Sequence, residues 1–244
     1  MKKITVLFLS TLVLSFAACK KDETTTNNNN NNTGTPTCRV KTTLLDDGTL
    51  TTYYYDAQGR VTKYTENDGT DSTETVYTYE GKKVTMDDGS GGEQYAYLNS
   101  FGLADSMVFR MPPLVDVTNR VKYNSSGLPI EYNASGTVFG TKIQQVITME
   151  YLNGNVIKMT SNDGTNETIT DYTYYTDKVN KLKSFSEVTE FMYGNTHMVK
   201  SMISDDNTSL NFVYEYDSEG KVTKETQTDE DETSTITIYN WLCN

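Results

Sequence analysis

The sequence predicts an all-β protein, an antiparallel meander of about eight repeated hairpins that forms a strongly curved or barrel-like sheet. Three observations predict this fold. A Tyr-x-Tyr motif recurs along the chain, turn-forming dipeptides separate the copies, and no stretch after residue 40 keeps a helical apolar period for eleven residues. The chain has 244 residues, of which 36% are hydrophobic, so we expect one domain with a thin core.

The repeat is clearest near the two ends of the folded part. Residues 53–63, YYYDAQGRVTK, return as residues 214–224, YEYDSEGKVTK. Side chains alternate along a strand, so the two tyrosines of a copy share one face, and the Asp and Gly that follow favour a turn. Looser copies bring the number of units to eight. Their second tyrosines are Tyr55, Tyr79, Tyr97, Tyr123, Tyr151, Tyr174, Tyr193 and Tyr216.

Asp-Gly pairs between the units are strong hairpin signals. They occur at residues 47–48, 68–69, 88–89 and 163–164. Eight hairpins give roughly sixteen strands, with residues 235–239 as the last. One face of each strand pair carries Tyr and Val and the other Thr, Lys, Glu and Asp, so we expect the aromatic face inside and the charged face in water.

The first eighteen residues have the pattern of a signal peptide. Two lysines precede an uncharged, mostly apolar run over 4–16, which is too short to span a membrane, where about 20 apolar residues are needed. Ala17, Ala18 and then Cys19 resemble a lipobox, which implies lipidation of Cys19, although Phe16 departs from the usual aliphatic residue. An ordinary secretory leader with an incidental cysteine is the alternative.

The segment between Cys19 and the folded domain is polar. Residues 20–23, KKDE, resemble a charged tag that sends some lipoproteins to the outer face of the outer membrane. Residues 24–37 are Thr-rich and Asn-rich and have nothing apolar to bury, so we expect residues 19–37 to form a disordered tether. The single hairpin-repeat domain is then residues 38–244.

Once Cys19 is lipidated, Cys38 and Cys243 are the two remaining cysteines, at opposite ends of the domain. Exported proteins lie in oxidising compartments where paired cysteines persist as disulfides. We predict a Cys38–Cys243 disulfide, which requires their Cα atoms to lie within about 7 Å. Two unpaired thiols are the alternative.

The units that begin at Tyr53 and Tyr214 resemble YD repeats, whose pattern is Tyr-x-Tyr-Asp-x-x-Gly-Arg. Together with the lipobox and the polar linker, the chain is similar to a family of outer-membrane-associated lipoproteins of unknown function, described as having a porin-like fold. This resemblance implies that the strands wrap into one strongly curved or barrel-like sheet. It carries no catalytic residues over to this chain.

The sequence contains no recognisable catalytic set. His197 is the chain's one histidine and falls where a hairpin turn is expected, so it is interpreted as a solvated turn residue. We therefore expect that the protein is not an enzyme. A glycan-processing enzyme that uses a carboxylate pair is the alternative, and the Tyr-x-Tyr stripes leave open a module that binds glycans by stacking.

Acidic residues dominate the charge of the chain, which is −12. Such a surface repels nucleic acid. Acidic doublets at 46–47, 87–88 and 205–206 and the run 229–232 could bind Ca²⁺, but Asp as a turn former explains them as well. We expect no metal site and no cofactor.

The most irregular segment is Arg110-Met111-Pro112-Pro113-Leu114, because two prolines cannot lie inside a sheet ladder. Loops on a rigid scaffold often carry function, so this segment and residues 134–141 are the candidate binding loops. The sequence thus predicts a non-enzymatic, monomeric cell-surface lipoprotein. Lipid would hold it at the outer membrane, and its partner would be a glycan or a protein. A purely structural role is a further alternative.

Overall fold

The computed structural model describes residues 38–100, 102–182, 195–206 and 208–243. The signal peptide, Cys19 and the tether lie outside these residues. The strands are β1 (Cys38–Leu45), β2 (Leu50–Tyr55), β3 (Val61–Asn67), β4 (Ser72–Glu80), β5 (Lys83–Asp87), β6 (Glu93–Leu98), β7 (Ala104–Met111), β8 (Val115–Tyr123), β9 (Pro129–Val138), β10 (Thr141–Leu152), β11 (Asn155–Asn162), β12 (Glu167–Val179), β13 (His197–Ser204), β14 (Ser209–Tyr216), β15 (Val222–Asp229) and β16 (Ser234–Cys243).

The sixteen strands form one closed antiparallel barrel. Each strand pairs with its neighbours along the chain, and β1 pairs with β16 to close the sheet. The predicted meander of about sixteen strands is confirmed. The described residues form no helix that could cross a membrane.

Side chains alternate between the inside and the outside of the barrel, as the strand period requires. On β8, Val117 and Val121 are buried, whereas Arg120 and Lys122 are exposed. The inward face of the barrel is rich in Tyr, Val and Met, and burial raises the pKa of Tyr172, one of its phenols, to about 12. The aromatic interior and charged exterior expected from the sequence are therefore present.

Alternate turns of a meander lie at opposite ends of a barrel. We call the end that contains Cys38 and Cys243 the proximal end, and the other the distal end. Four proximal turns begin at Asp56, Asn99, Asn124 and Asp217, and in each the side-chain oxygen accepts a hydrogen bond from the backbone N–H four residues later. The turn chemistry predicted from Asp or Asn and Gly is confirmed here.

Five of the repeat tyrosines form a ladder of hydrogen bonds around the proximal end. In each case the hydroxyl donates to a backbone carbonyl near the start of an odd-numbered strand of the preceding hairpin. Trp241 makes the same contact with its indole N–H. The pairs are Tyr55 to Val40, Tyr79 to Val61 (2.9 Å), Tyr123 to Ala104 (2.6 Å), Tyr151 to Pro129 (2.7 Å), Tyr174 to Val156 (2.6 Å) and Trp241 to Val222 (2.7 Å).

Two of the eight predicted units are wrong in detail. Tyr97 faces outward, because Gln94, Ala96 and Leu98 take the inward positions of β6, and Leu98 lies opposite Ala104. Tyr193 lies outside the described residues. The next strand in the chain, β13, pairs with β12, and Val199 lies opposite Tyr174, so β13 is the return strand of the Tyr174 unit.

The eighth strand pair consists of β16 and β1. Trp241 lies opposite Val40 there, just as Tyr55 lies opposite Val61 in the first hairpin. The Cys38–Cys243 disulfide stands where a turn would otherwise be, with Cα atoms 4.1 Å apart. The bridge predicted from the sequence is therefore present, and it closes the barrel at its proximal end.

Candidate functional site

The two candidate loops meet at the distal end of the barrel. Pro112, Pro113 and Leu114 form the turn between β7 and β8, and Phe139 and Gly140 form the turn between β9 and β10. The backbone N–H of Phe139 donates to the carbonyl of Leu114 at 2.6 Å.

The structure narrows both candidate loops. Arg110 and Met111 belong to strand β7 rather than to a loop, because they pair with Asp116 and Val115. Most of the 134–141 segment is likewise strand. Only the tips of the two hairpins are therefore irregular.

The turn at Phe139-Gly140 has an unusual residue for its backbone shape. A two-residue hairpin turn of this type needs positive φ at both positions, which favours Asn-Gly. The turn between β10 and β11 follows this rule, with Asn153 at φ 52° and Gly154 at 78°. The distal turn adopts the same shape with Phe139 at φ 49° and Gly140 at 77°. A large aromatic residue thus occupies a position that strains it.

Apolar side chains surround this turn. Phe139 is 74% exposed and Leu114 is 43% exposed. Four further apolar side chains on the adjoining strands are half-buried. We call the six residues the distal lip: Met111, Leu114, Val115, Val138, Phe139 and Ile143.

On the side of β11, the distal lip extends beyond the end of the neighbouring strand. From Thr141 to Gln145, β10 pairs with β9 only, because its ladder with β11 begins at Val146 and Asn162. Gly136 lies at the base of the lip, where β8 and β9 approach closely. A Cβ atom at this position would lie 2.0 Å from the carbonyl oxygen of Asp116.

The other distal turns are strongly acidic. The eight turns of this end contain eleven acidic residues, all exposed, and no Lys or Arg. The acidic residues are Asp46, Asp47, Asp68, Asp71, Asp88, Asp163, Asp205, Asp206, Glu230, Asp231 and Glu232. All of them lie outside the two apolar turns of the lip.

Hydrogen bonds within the turns keep some of these carboxylates ionised. The backbone N–H groups of Asp71 and Thr70 donate to Asp68 and lower the pKa of its carboxyl. Asn166 and Thr165 lower the pKa of Asp163 in the same way.

The proximal end has a different charge. Its described turns contain three acidic residues, Asp56, Asp217 and Glu219, and four basic ones, Arg60, Lys82, Lys181 and Lys221. Arg60 forms a salt bridge with Asp56 at 2.7 Å and lies over the ring of Tyr79, 4.1 Å from its centroid. The negative charge of the turns is therefore concentrated at the distal end.

The sequence suggested that His197 is a solvated turn residue, and this prediction is wrong. His197 is half-buried and is the first residue of β13, paired with Val179. The side-chain oxygen of Asn155 accepts from its backbone N–H at 2.9 Å, and the amide nitrogen of Asn155 lies 3.1 Å from its Nδ1. These contacts give His197 a structural role, joining β13 to the start of β11.

The acidic turns form no evident metal centre. Among the residues that the structure describes, no group of three or more His, Cys, Asp or Glu side chains could hold a metal ion. Most of the Tyr-x-Tyr pairs pack in the barrel interior. Tyr95 and Tyr97 are the clear exception on the outer wall, with ring centroids 5.7 Å apart.

Sequence reasoning identified the two segments of the lip, which include Leu114 and Phe139, but did not single out these two residues. Phe139 and Leu114 are ordinary apolar residues in the sequence, without a motif around them. The available signal was Phe-Gly at a two-residue hairpin turn where Asn-Gly is expected.

No family model and no curated protein matches the sequence. The likeness to YD repeats therefore rests on the quoted residues alone. Two solved structures share the fold. A porin-like protein from Bacteroides uniformis ATCC 8492 is 15% identical with a TM-score of 0.64, over 83% of this chain and 96% of that one. A porin-like protein from Bacteroides vulgatus ATCC 8482 is 12% identical with a TM-score of 0.56, over 83% and 98%. This chain has the fold of porin-like β-barrels.

Proposed function

We propose that this protein is a non-enzymatic outer-membrane lipoprotein that is anchored through Cys19, faces the cell exterior and binds a partner at its distal lip. One observation carries the proposal: Cys38, the first described residue of the domain, and the lip lie at opposite ends of the barrel. The tether leads into Cys38 at the proximal end, and β1 alone, with eight residues, spans roughly 26 Å towards the distal end. The lip would then face away from the membrane.

The fold and the charge distribution support this orientation. Two Bacteroides proteins described as porin-like have the same barrel. Anionic headgroups repel the acidic distal turns more strongly than the described proximal turns, whose acidic and basic residues nearly balance.

Removal of the lipid site tests the anchor. The Cys19→Ser variant should leave the membrane fraction, because the lipid supplies the main hold on the bilayer. Membranes washed with carbonate and probed for the protein provide the measurement. A variant that still sediments with washed membranes would contradict the anchor.

An epitope tests the orientation. The turn at Gly164 is open, since a Cβ atom there would meet no atom within 4 Å. An epitope inserted after Gly164 should be recognised by antibody on intact cells. Recognition only after the outer membrane is permeabilised would place the barrel on the periplasmic face instead.

A further inference from the structure

The distal lip combines backbone strain with solvent-exposed apolar surface. A residue other than Gly, Asn or Asp at positive φ costs stability, and an exposed phenyl ring gains nothing from the core. The same chain uses Asn153 in the same turn shape, so the strain is not required by the hairpin. Strain that a simple substitution would relieve is typical of residues kept for binding.

Electrostatics select what can cover the lip. The neighbouring distal turns on either side contain Asp88 and Asp163, and the wider ring of acidic turns surrounds them. The charges on the lip strands themselves largely cancel: Arg110 pairs with Asp116 at 3.1 Å, which leaves the exposed Lys142. A second copy of this chain would bring a second acidic ring against the first, and an anionic membrane would be repelled as well.

We infer that the distal lip binds a cationic segment of a protein partner, whose apolar side chains cover Phe139 and Leu114 and whose Lys or Arg side chains face the acidic turns. This inference rests on the proposed function and specifies the partner. Apolar contact gives the affinity and the acidic ring gives the charge selectivity, a division common at protein interfaces.

Three fluorescent peptides test the inference on the full chain purified in detergent. Each has about ten residues, a length that suits docking of an extended segment. The first alternates Lys and Leu, the second Lys and Ser, and the third Glu and Leu. Fluorescence anisotropy at low and high salt should show binding of the Lys/Leu peptide alone, and it should weaken with salt because the acidic turns are exposed.

Phe139→Asn is the decisive variant. It should weaken the Lys/Leu peptide about tenfold or more, as truncation of a central interface aromatic does. It should also keep or raise the denaturation midpoint, because Asn tolerates positive φ. The matched control is Val213→Asn on the outer wall, where the side chain is 58% exposed, and it should leave the affinity unchanged.

The double variant Asp88→Asn and Asp163→Asn tests the charge. Asn keeps the side-chain oxygen that accepts from the backbone N–H of Ser90 or Thr165 but loses the second oxygen, which accepts from Gln94 or Asn166. The denaturation midpoint therefore serves as the control for folding, and the salt dependence of binding should fall.

Several results would overturn the inference. They are equal affinity of Phe139→Asn and the unchanged chain, equal binding of the Lys/Ser or Glu/Leu peptide, or no binding of the Lys/Leu peptide at millimolar concentration. A dimer in sedimentation analysis that Phe139→Asn abolishes would assign the lip to a second copy. None of these results depends on the anchor, so failure here and failure of the membrane experiments are distinguishable.

Discussion

Single tyrosines join neighbouring hairpins at the proximal end. Each ladder tyrosine lies in its own hairpin but donates to a carbonyl of the preceding one, as Tyr123 does to Ala104 and Tyr151 to Pro129. Tyr123 and Tyr151 follow the inward positions Val121 and Met149 by normal strand alternation, and the β-bulge opposite each tyrosine places its extra residue on the return strand. The repeat residue therefore provides both core volume and a bond between units.

Tyr123→Phe should lower the free energy of unfolding by about 1 kcal/mol, since it removes one hydrogen bond and leaves a carbonyl without its phenol donor. Urea denaturation measures the loss. Tyr97→Phe is the matched control, because the Tyr97 hydroxyl lies on the outward face and the residue is 47% exposed. The urea denaturation midpoint of this variant should stay unchanged. Equal midpoints for Tyr123→Phe and the unchanged chain would show that the ladder contributes no stability.

Residue patterns predicted the inward face of most strands but not the phase of every unit. At β6, Tyr95 and Tyr97 fit the repeat by spacing, yet the inward positions of this strand are Gln94, Ala96 and Leu98. A shift of one residue exchanges the inward and outward faces of a strand, and no local sequence signal distinguishes the two registers.

The hairpins of the distal lip depend on close strand contact. At Gly136 the backbones of β8 and β9 leave no room for a side chain, since a Cβ atom would lie 2.8 Å from the Cα of Val117. Gly140, in the turn itself, has nothing within 4 Å of its ideal Cβ position. The two glycines of this hairpin thus serve different purposes, one for space and one for positive φ.

Gly136→Ala should therefore separate β8 from β9 and destabilise the protein by about 1–3 kcal/mol, the usual result of overpacking. Hydrogen exchange should rise at the amides around Val117. Gly140→Ala is the control: its strain is confined to the turn, so exchange at Val117 should stay unchanged. Equal exchange in both variants would argue against a tight β8–β9 contact.

At the scale of the whole molecule, the sequence predicted strand number, antiparallel order and the closing disulfide. The disulfide followed from two cysteines at the ends of a series of hairpins, whereas the sequence left a closed barrel and a strongly curved open sheet as alternatives. The assembly of the lip could not be predicted, because it depends on which hairpin tips become neighbours and how far each protrudes. The concentration of charge became visible only when alternate turns were assigned to opposite ends.

The disulfide at the seam also determines how the barrel bears mechanical load. A pull on the segment before Cys38 acts on one end of β1. Without the disulfide, this pull would separate β1 from its neighbours one hydrogen bond at a time. Through the bridge the pull also reaches Cys243, so β1 and β16 must leave together and the seven residue pairs between them stay unstretched. In single-molecule pulling between the tether and a distal turn, reductant should lower the force of first rupture. Equal rupture forces with and without reductant would show that the seam is not the point of failure.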